Sequence, residues 1–308
     1  MRDPAQALEA QIGEQLARTP APSVVDLSQP YNMYLTAAQA QSYLVLMKDD
    51  TYRTPFHDPI KNLFGKYAGD LLQLLDGPLA LIDLGPGLPD KTLPLFAYLK
   101  RSSIACTYVP VDISQHFLGL AASMAQSQGF VALPLNCLFE EIAHNLPSVL
   151  SQLGARSALV IFGLTFMNYS PERVSRLLAD LGPMVNRVVV AAELHTPPSP
   201  EHILLPYRTT AAEDFNFQVL KLMRWKRSDF NYEVRFVENH IEMGFSSKLP
   251  VALGSSGHVL KPSTYVLTAV SYRYTSRQLR AFLTPLFPEV KIVTDPAAPV
   301  ALAILDNC

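Results

Sequence analysis

Short apolar runs alternate with longer stretches of helical spacing through the middle of the chain. Leu79–Leu84 is a mostly apolar run closed by a glycine-rich turn, the pattern of a strand buried in a parallel sheet. Helical spacing follows over Lys91–Lys100, then a strand pattern over Cys106–Val111 and a helix over Gln115–Gln126. The alternation continues with strand Val131–Leu135, helix Phe139–Leu153 and strand Ala158–Phe162. A further helix starts with Ser170 as N-cap and Pro171 at its first position, and strand Val185–Glu193 closes the series. Five strands alternating with helices in about 115 residues predict a doubly wound α/β sheet.

The flanks read differently. Ala5–Arg18, Thr36–Lys48 and Pro59–Leu75 have helical spacing, with a proline-rich turn at Thr19–Pro22, so the N-terminal region is expected to be helices and loops. After Glu193 the segment Thr196–Pro200 breaks the rhythm. A helix over Ala211–Lys226, a hairpin over Tyr232–Phe245, a Gly/Ser loop at Gly254–Gly257 and an apolar stretch over Tyr265–Tyr272 follow. Helix Thr275–Leu286 and strands Val290–Thr294 and Val300–Leu305 suit the sixth and seventh strands of the main sheet. The expected division is residues 59–195 plus 275–308 as the α/β core. Residues 1–58 plus 196–274 form a second, substrate-binding unit that caps it.

Composition narrows the function classes. With 25 basic against 27 acidic residues the 308-residue chain lacks the basic excess of a nucleic-acid binder, and its most basic run, Lys221–Arg227, reads as a solvated helix face. Cys106, Cys137 and Cys308 form neither a C-x-x-C pair nor a metal spacing with His, so neither a disulfide framework nor a metal is expected. No apolar run approaches the ~18 residues of a membrane span, and the N-terminal stretch has no signal-peptide core. A cytoplasmic protein with no membrane or nucleic-acid partner is the expectation.

Ligands of open α/β sheets bind at the carboxyl ends of the strands. The first strand ends Asp83-Leu84-Gly85-Pro86-Gly87, where glycines permit a tight turn and close approach to a ligand, and the next helix offers unpaired N–H groups. The second strand ends in Asp112, about 25 residues on, an acceptor for ribose hydroxyls. A dinucleotide turn would carry a third glycine where this chain has Asp90, and a negative charge there is unfavourable beside a pyrophosphate. S-adenosyl-L-methionine (SAM) has no phosphate and suits the turn better.

With these motifs the chain resembles the histidine-specific N-alpha-methyltransferase family of ergothioneine biosynthesis, over about residues 50 to 305. The resemblance runs through Leu84–Gly87 with Asp90-Lys91-Thr92, through Tyr108–Ser114, and through Val160–Pro171 with Gly163 and Asn168 at matching positions. It continues at Tyr207, Asp214–Leu220 and Ile241–Met243. It implies a Rossmann-like SAM-methyltransferase core with a second substrate-binding domain formed by the N-terminal helices and the insertion. By it, Asp83, Gly85, Gly87 and Lys91 would serve the methionine end of SAM, Asp112 the ribose, Phe139 the adenine side and Gly163 the strand-four turn. Tyr52, Asn168 and Tyr207 would hold the amino acid as the catalytic set; Met243, Ala269 and Ser271 would face its side chain. Simpler readings stand beside these: Tyr52 and Tyr207 as packing residues, Asn168 as the cap of the next helix.

Two positions depart from the family. Leu138 replaces an acidic residue before Phe139, and Ala269-Val270-Ser271 stands where the family has Glu-x-Ser. Without that carboxylate an imidazole N–H loses its partner, so an amino acid or related amine other than free histidine is the expected acceptor. Methylation of another small-molecule N or O nucleophile, and a degenerate ligand-binding domain, are the alternatives.

Overall fold

The computed structural model of the chain describes residues 4–19, 22–195, 201–253 and 259–307, so most of the three loops expected at Thr19–Pro22, Thr196–Pro200 and Gly254–Gly257 lies outside the described residues. In chain order the elements are α1 (Pro4–Arg18), β1 (Val24–Asp26), α2 (Ala37–Leu46), α3 (Asp50–Lys66), α4 (Ala68–Leu72), β2 (Leu79–Leu84), α5 (Leu93–Arg101) and β3 (Cys106–Val111). Next come α6 (Gln115–Ser127), β4 (Val131–Ala132), α7 (Phe139–Leu153), β5 (Ser157–Phe162), α8 (Pro171–Leu181) and β6 (Arg187–Glu193). The chain continues through α9 (Glu201–Leu204), α10 (Thr210–Leu222), β7 (Phe230–Val237), β8 (His240–Ser247), β9 (Val251–Ala252), β10 (Val259–Leu260) and β11 (Tyr265–Tyr272). It ends with α11 (Ser276–Leu283), β12 (Glu289–Thr294) and β13 (Val300–Asp306).

Two compact units result: Met1–Tyr52 with Pro197–Tyr272, and Arg53–Thr196 with Arg273–Cys308. The divide therefore falls inside α3, whereas the sequence pattern puts it after residue 58. The pattern also starts the helix at Pro59, because prolines interrupt helices. Here α3 runs through both Pro55 and Pro59, held by the buried stripe Phe56, Ile60, Leu63 and Phe64. The helix expected to reach Leu75 instead breaks after Lys66 into the short α4.

The second unit is built on a seven-stranded sheet in the order β12-β13-β6-β5-β2-β3-β4. Strands β4, β3, β2, β5 and β6 are parallel; β13 is antiparallel to β6, and β12 to β13. Every residue of β2, β5 and β6 is buried, which is why these strands read as continuous apolar runs. Beyond Ala132 the strand expected over Val131–Leu135 is reduced to a bridge from Leu135 to Val111. From β2 the chain winds outward to β3 and β4, then crosses back to β5 and β6, so strand order reverses beside β2, where such sheets open a crevice. The register puts Leu84 level with both Val111 and Phe162. Three strands thus end together, and the residues that follow them meet at one edge.

The first unit centres on a four-stranded sheet in the order β1-β11-β8-β7. One face carries Phe230, Tyr232, Phe245, Val266 and Ala269, which pack with Leu8 and Ile12 of α1, Leu46 of α2 and Phe217 and Leu220 of α10. The three residues of β1 pair in parallel with β11, a contact spanning more than two hundred positions that leaves no local trace. Among the described residues no helix is long and apolar enough to cross a membrane.

Candidate functional site

The glycine turn after β2 is shaped by what surrounds it. Gly85 and Gly87 sit at φ +66° and +52°, the left-handed region where L side chains are strained. A Cβ on Gly85 would come within 2.7 Å of Thr165 Oγ1 and 3.1 Å of Phe139 Cζ. Under this turn lies a buried polar network. Tyr108 donates its hydroxyl to Asp83 Oδ2 at 2.8 Å, and Lys91 Nζ stands 3.4 Å from Asp83 Oδ1 while donating to the Pro86 carbonyl at 2.7 Å. A buried carboxylate needs such partners, and Lys91 closes the turn from Pro86 back onto the strand. Its stem lies against the strand-four glycine: a Cβ on Gly163 would approach Lys91 Cε to 3.0 Å. The Tyr108 hydroxyl is held well above its ordinary range, first by burial and then by Asp83.

Asp112 follows β3 at the same edge. Its Oδ1 accepts from Ser114 N at 2.8 Å, and burial pushes its carboxyl up to about 7, against the opposing pull of that N–H and of Lys91. Asn136 donates to the carbonyls of both Asp112 (2.9 Å) and Ile113 (2.8 Å), pinning the backbone that aims the carboxylate. Sequence reasoning missed Asn136. The signal is an Asn just past a short parallel strand that ends beside the acidic turn.

Phe139 opens α7 and packs edge-on against Phe162 (5.6 Å) and tilted against Tyr169 (5.7 Å). The family's acid before it is absent, yet the N–H of Leu138 is satisfied by Glu141 Oε2 at 3.1 Å. Asn168 ends a 3-10 turn, Leu164–Asn168. It does not cap the next helix: Ser170 does, through its hydroxyl to Arg173 N at 3.4 Å, with Pro171 at the first position as expected. Asn168 is left partly exposed beside the strand-four end.

Within the first unit, Tyr52 and Tyr207 meet edge to face at 5.6 Å. The Tyr207 carbonyl accepts from the Tyr232 hydroxyl at 2.9 Å. Asn216, buried in α10, joins Tyr232 to the middle of the sheet. Its Nδ2 donates to the Ala212 carbonyl (2.9 Å), contacts Tyr232 OH (3.4 Å) and lies 3.9 Å from Met243 Sδ. Its Oδ1 accepts from Thr268 Oγ1 at 3.2 Å. Met243 and Ala269 are register partners across β8 and β11, just past an irregularity between Leu267 and Ala269, and Ser271 pairs with Ile241 farther along. The structure therefore brings Tyr52, Tyr207, Met243 and Ala269 into one aromatic and apolar neighbourhood. Ser271 lies buried on the same strand as Ala269.

The cofactor edge can be tested for fit on its own geometry. The bare backbone of Gly85 and Gly163 at the ends of β2 and β5 is packed closely by Thr165, Phe139 and Lys91, and Asp112 adds a carboxylate at that edge from β3. Asp90, in place of a third glycine, is salt-bridged to Lys61 at 3.1 Å, leaving a turn unlike a pyrophosphate cradle. Such an edge, where a left-handed glycine turn, Lys91 and the carboxylate of Asp112 come together, fits a nucleoside carrying an amino-acid tail, and with the sheet it defines a SAM-dependent methyltransferase. The chain belongs to the SAM-dependent, histidine-specific methyltransferase family, whose pattern matches residues 60–307.

Solved structures are similar to the chain at low identity. A SAM-dependent methyltransferase from Clostridium acetobutylicum is 11% identical, covering 86% of this chain and 98% of its own, with a TM-score of 0.46. SAM-bound CalS10, an amino pentose methyltransferase from Micromonospora echinaspora, is 10% identical, covering 89% and 98%, with a TM-score of 0.40. No curated protein sequence matches the chain.

Proposed function

We propose that the chain methylates the amino nitrogen of an amino acid, or of a small molecule derived from one, other than free histidine. The observation that carries this reading is Ala269, in register with Met243 where the family has a carboxylate. An imidazole placed there would leave an N–H without an acceptor, which costs roughly 1–3 kcal/mol. A side chain of apolar or aromatic character would match Met243, Tyr52 and Tyr207.

Bound SAM supplies a methyl group on a sulfonium that is already an activated leaving group. In this reading the turns at Gly85, Gly87 and Gly163 bring backbone up to it, Asp83 and Lys91 fix the turn around its methionine end, Asp112 accepts hydrogen bonds from its ribose hydroxyls and Phe139 flanks its adenine. Tyr52, Asn168 and Tyr207 orient the acceptor amine, which must be neutral to present its lone pair. No strong base is required: alignment and exclusion of water do most of the work. The test is incubation with SAM and each proteinogenic amino acid and simple biogenic amine, read by mass spectrometry with fragmentation. A methylated α-amino or side-chain amino group on an acceptor other than histidine is the expected product. Methylation of histidine alone, or of a hydroxyl, would overturn the reading; SAM binding without turnover on any acceptor would make the chain a ligand-binding relative.

A further inference from the structure

One charged cluster is not used by the site as described. Helix α3 presents Arg53, His57 and Lys61 at successive four-residue intervals, which puts them on one face. All three converge on Asp90, the residue that replaces a third glycine in the cofactor turn. Lys61 Nζ donates to Asp90 Oδ2 at 3.1 Å, His57 Nε2 stands 3.2 Å from Oδ1, and Arg53 Nη2 lies 3.8 Å from Oδ2. Asp58 completes the cluster, with Arg53 Nε at 2.9 Å and His57 Nδ1 at 3.9 Å. Burial holds the His57 imidazole below its ordinary pKa, against the upward pull of Asp90.

Asp90 and Lys91 are adjacent in a 3-10 turn, Pro89–Thr92, and are held from different elements. Lys91 reaches Asp83 and the Pro86 carbonyl; Asp90 reaches α3. The turn between Gly85 and α5 is thereby fixed at two neighbouring points. Partly exposed ion pairs contribute little to global stability, so two cations and an imidazole gathered on one carboxylate of a glycine turn are better explained by the placement of that turn.

We propose that Arg53, His57 and Lys61 are positioning residues for the cofactor: by clamping Asp90 they hold the Pro86–Thr92 turn, and with it Lys91, in the conformation that binds SAM. The proposal rests on the reading that this turn carries the methionine end of the cofactor. Calorimetric titration of S-adenosylhomocysteine into the full chain tests it, for wild type, Asp90→Asn, Asp90→Glu, Lys61→Met and the Asp90→Asn/Lys61→Met double variant, with Asp112→Asn as the reference. Melting temperatures of the unliganded proteins accompany each titration. Asp90→Asn is expected to raise Kd about tenfold, the scale of one charge-assisted hydrogen bond, with Asp90→Glu recovering part of the loss. Adding Lys61→Met to Asp90→Asn should then weaken binding no further, since the two act through one contact. An unchanged Kd for Asp90→Asn alongside weakened binding in Asp112→Asn would overturn the clamp while leaving the cofactor reading in place. A lower melting temperature with unchanged Kd would make the cluster structural only. Unchanged binding in both Asp112→Asn and Asp90→Asn would remove the cofactor reading and the clamp together.

Discussion

The two units position their chemistry by different means. In the unit spanning Arg53–Thr196 and Arg273–Cys308, the proposed cofactor residues follow directly on parallel strands whose register aligns their ends, so Gly85, Asp112 and Gly163 meet because Leu84, Val111 and Phe162 are level. In the unit spanning Met1–Tyr52 and Pro197–Tyr272, the proposed acceptor residues Tyr52, Tyr207, Met243 and Ala269 come from a helix start, a 3-10 turn and two antiparallel strands. They are tied by side-chain bonds through Asn216 and Tyr232. The first arrangement is fixed by the backbone and tolerates little change. The second rests on side chains, which can be exchanged one at a time. That contrast gives a physical reason for a recognisable glycine motif in one unit and the proposed change of specificity at Ala269 in the other.

The comparison can be broken most severely at the carboxyl end of β6. Arg273 and Glu193 form a fully buried ion pair where the chain returns to β6. Arg273→Met takes the guanidinium away from the buried Glu193 carboxylate and is expected to cost roughly 3–5 kcal/mol, seen as a large drop in melting temperature by calorimetric scan. Retained stability would show that backbone register alone holds this edge.

The next effect concerns specificity. Ala269→Glu should supply an acceptor for an imidazole N–H and raise kcat/KM for histidine relative to the wild-type acceptor by about 10²-fold, with S-adenosylhomocysteine affinity unchanged. No gain with histidine would mean that side-chain recognition lies elsewhere. Gly85→Ala is the reciprocal experiment. The positive φ and the approach to Thr165 should weaken S-adenosylhomocysteine binding by about tenfold or more, measured by calorimetry. Binding equal to wild type would remove the steric argument.

Smaller still is the effect of Asn216→Leu, which deprives Thr268 and Tyr232 of a partner. A loss of about 1–2 kcal/mol in stability is expected, with a higher KM for the acceptor and little change in cofactor affinity. Equal damage to both affinities would show that the units do not divide the work as described.

How much of this was legible in the sequence follows the same division. The alternation of apolar runs and helices gave β3, α7 and β11 to the residue, because strands buried on both faces and helices with one apolar stripe write themselves locally. Helix α3 did not, since Pro55 and Pro59 contradict the helix that Phe56, Ile60, Leu63 and Phe64 enforce by burial. The start of α3 carries Arg53 and His57, and so the clamp on Asp90 stayed out of reach as well. Strand β1 and the bonds of Asn216 depend on partners far along the chain. The glycine turn and Asp112 were readable from spacing; Asn136, which acts only through the fold, was not.

The most direct test of the account is the pH dependence of S-adenosylhomocysteine binding for wild type and Asp112→Asn. Burial raises the Asp112 carboxyl to about 7 in the unliganded protein, above its unfolded value, so the folded state binds the extra proton between these limits and the unliganded protein loses stability as pH rises toward 7. Ribose hydroxyls donate to the ionised form, so affinity should be flat above about 7 and fall toward tenfold per pH unit below it. Asp112→Asn should bind more weakly by about 10²-fold, the loss of two hydrogen bonds to a charged acceptor, and should lose the pH dependence. Identical affinities and profiles for the two proteins would contradict the cofactor site.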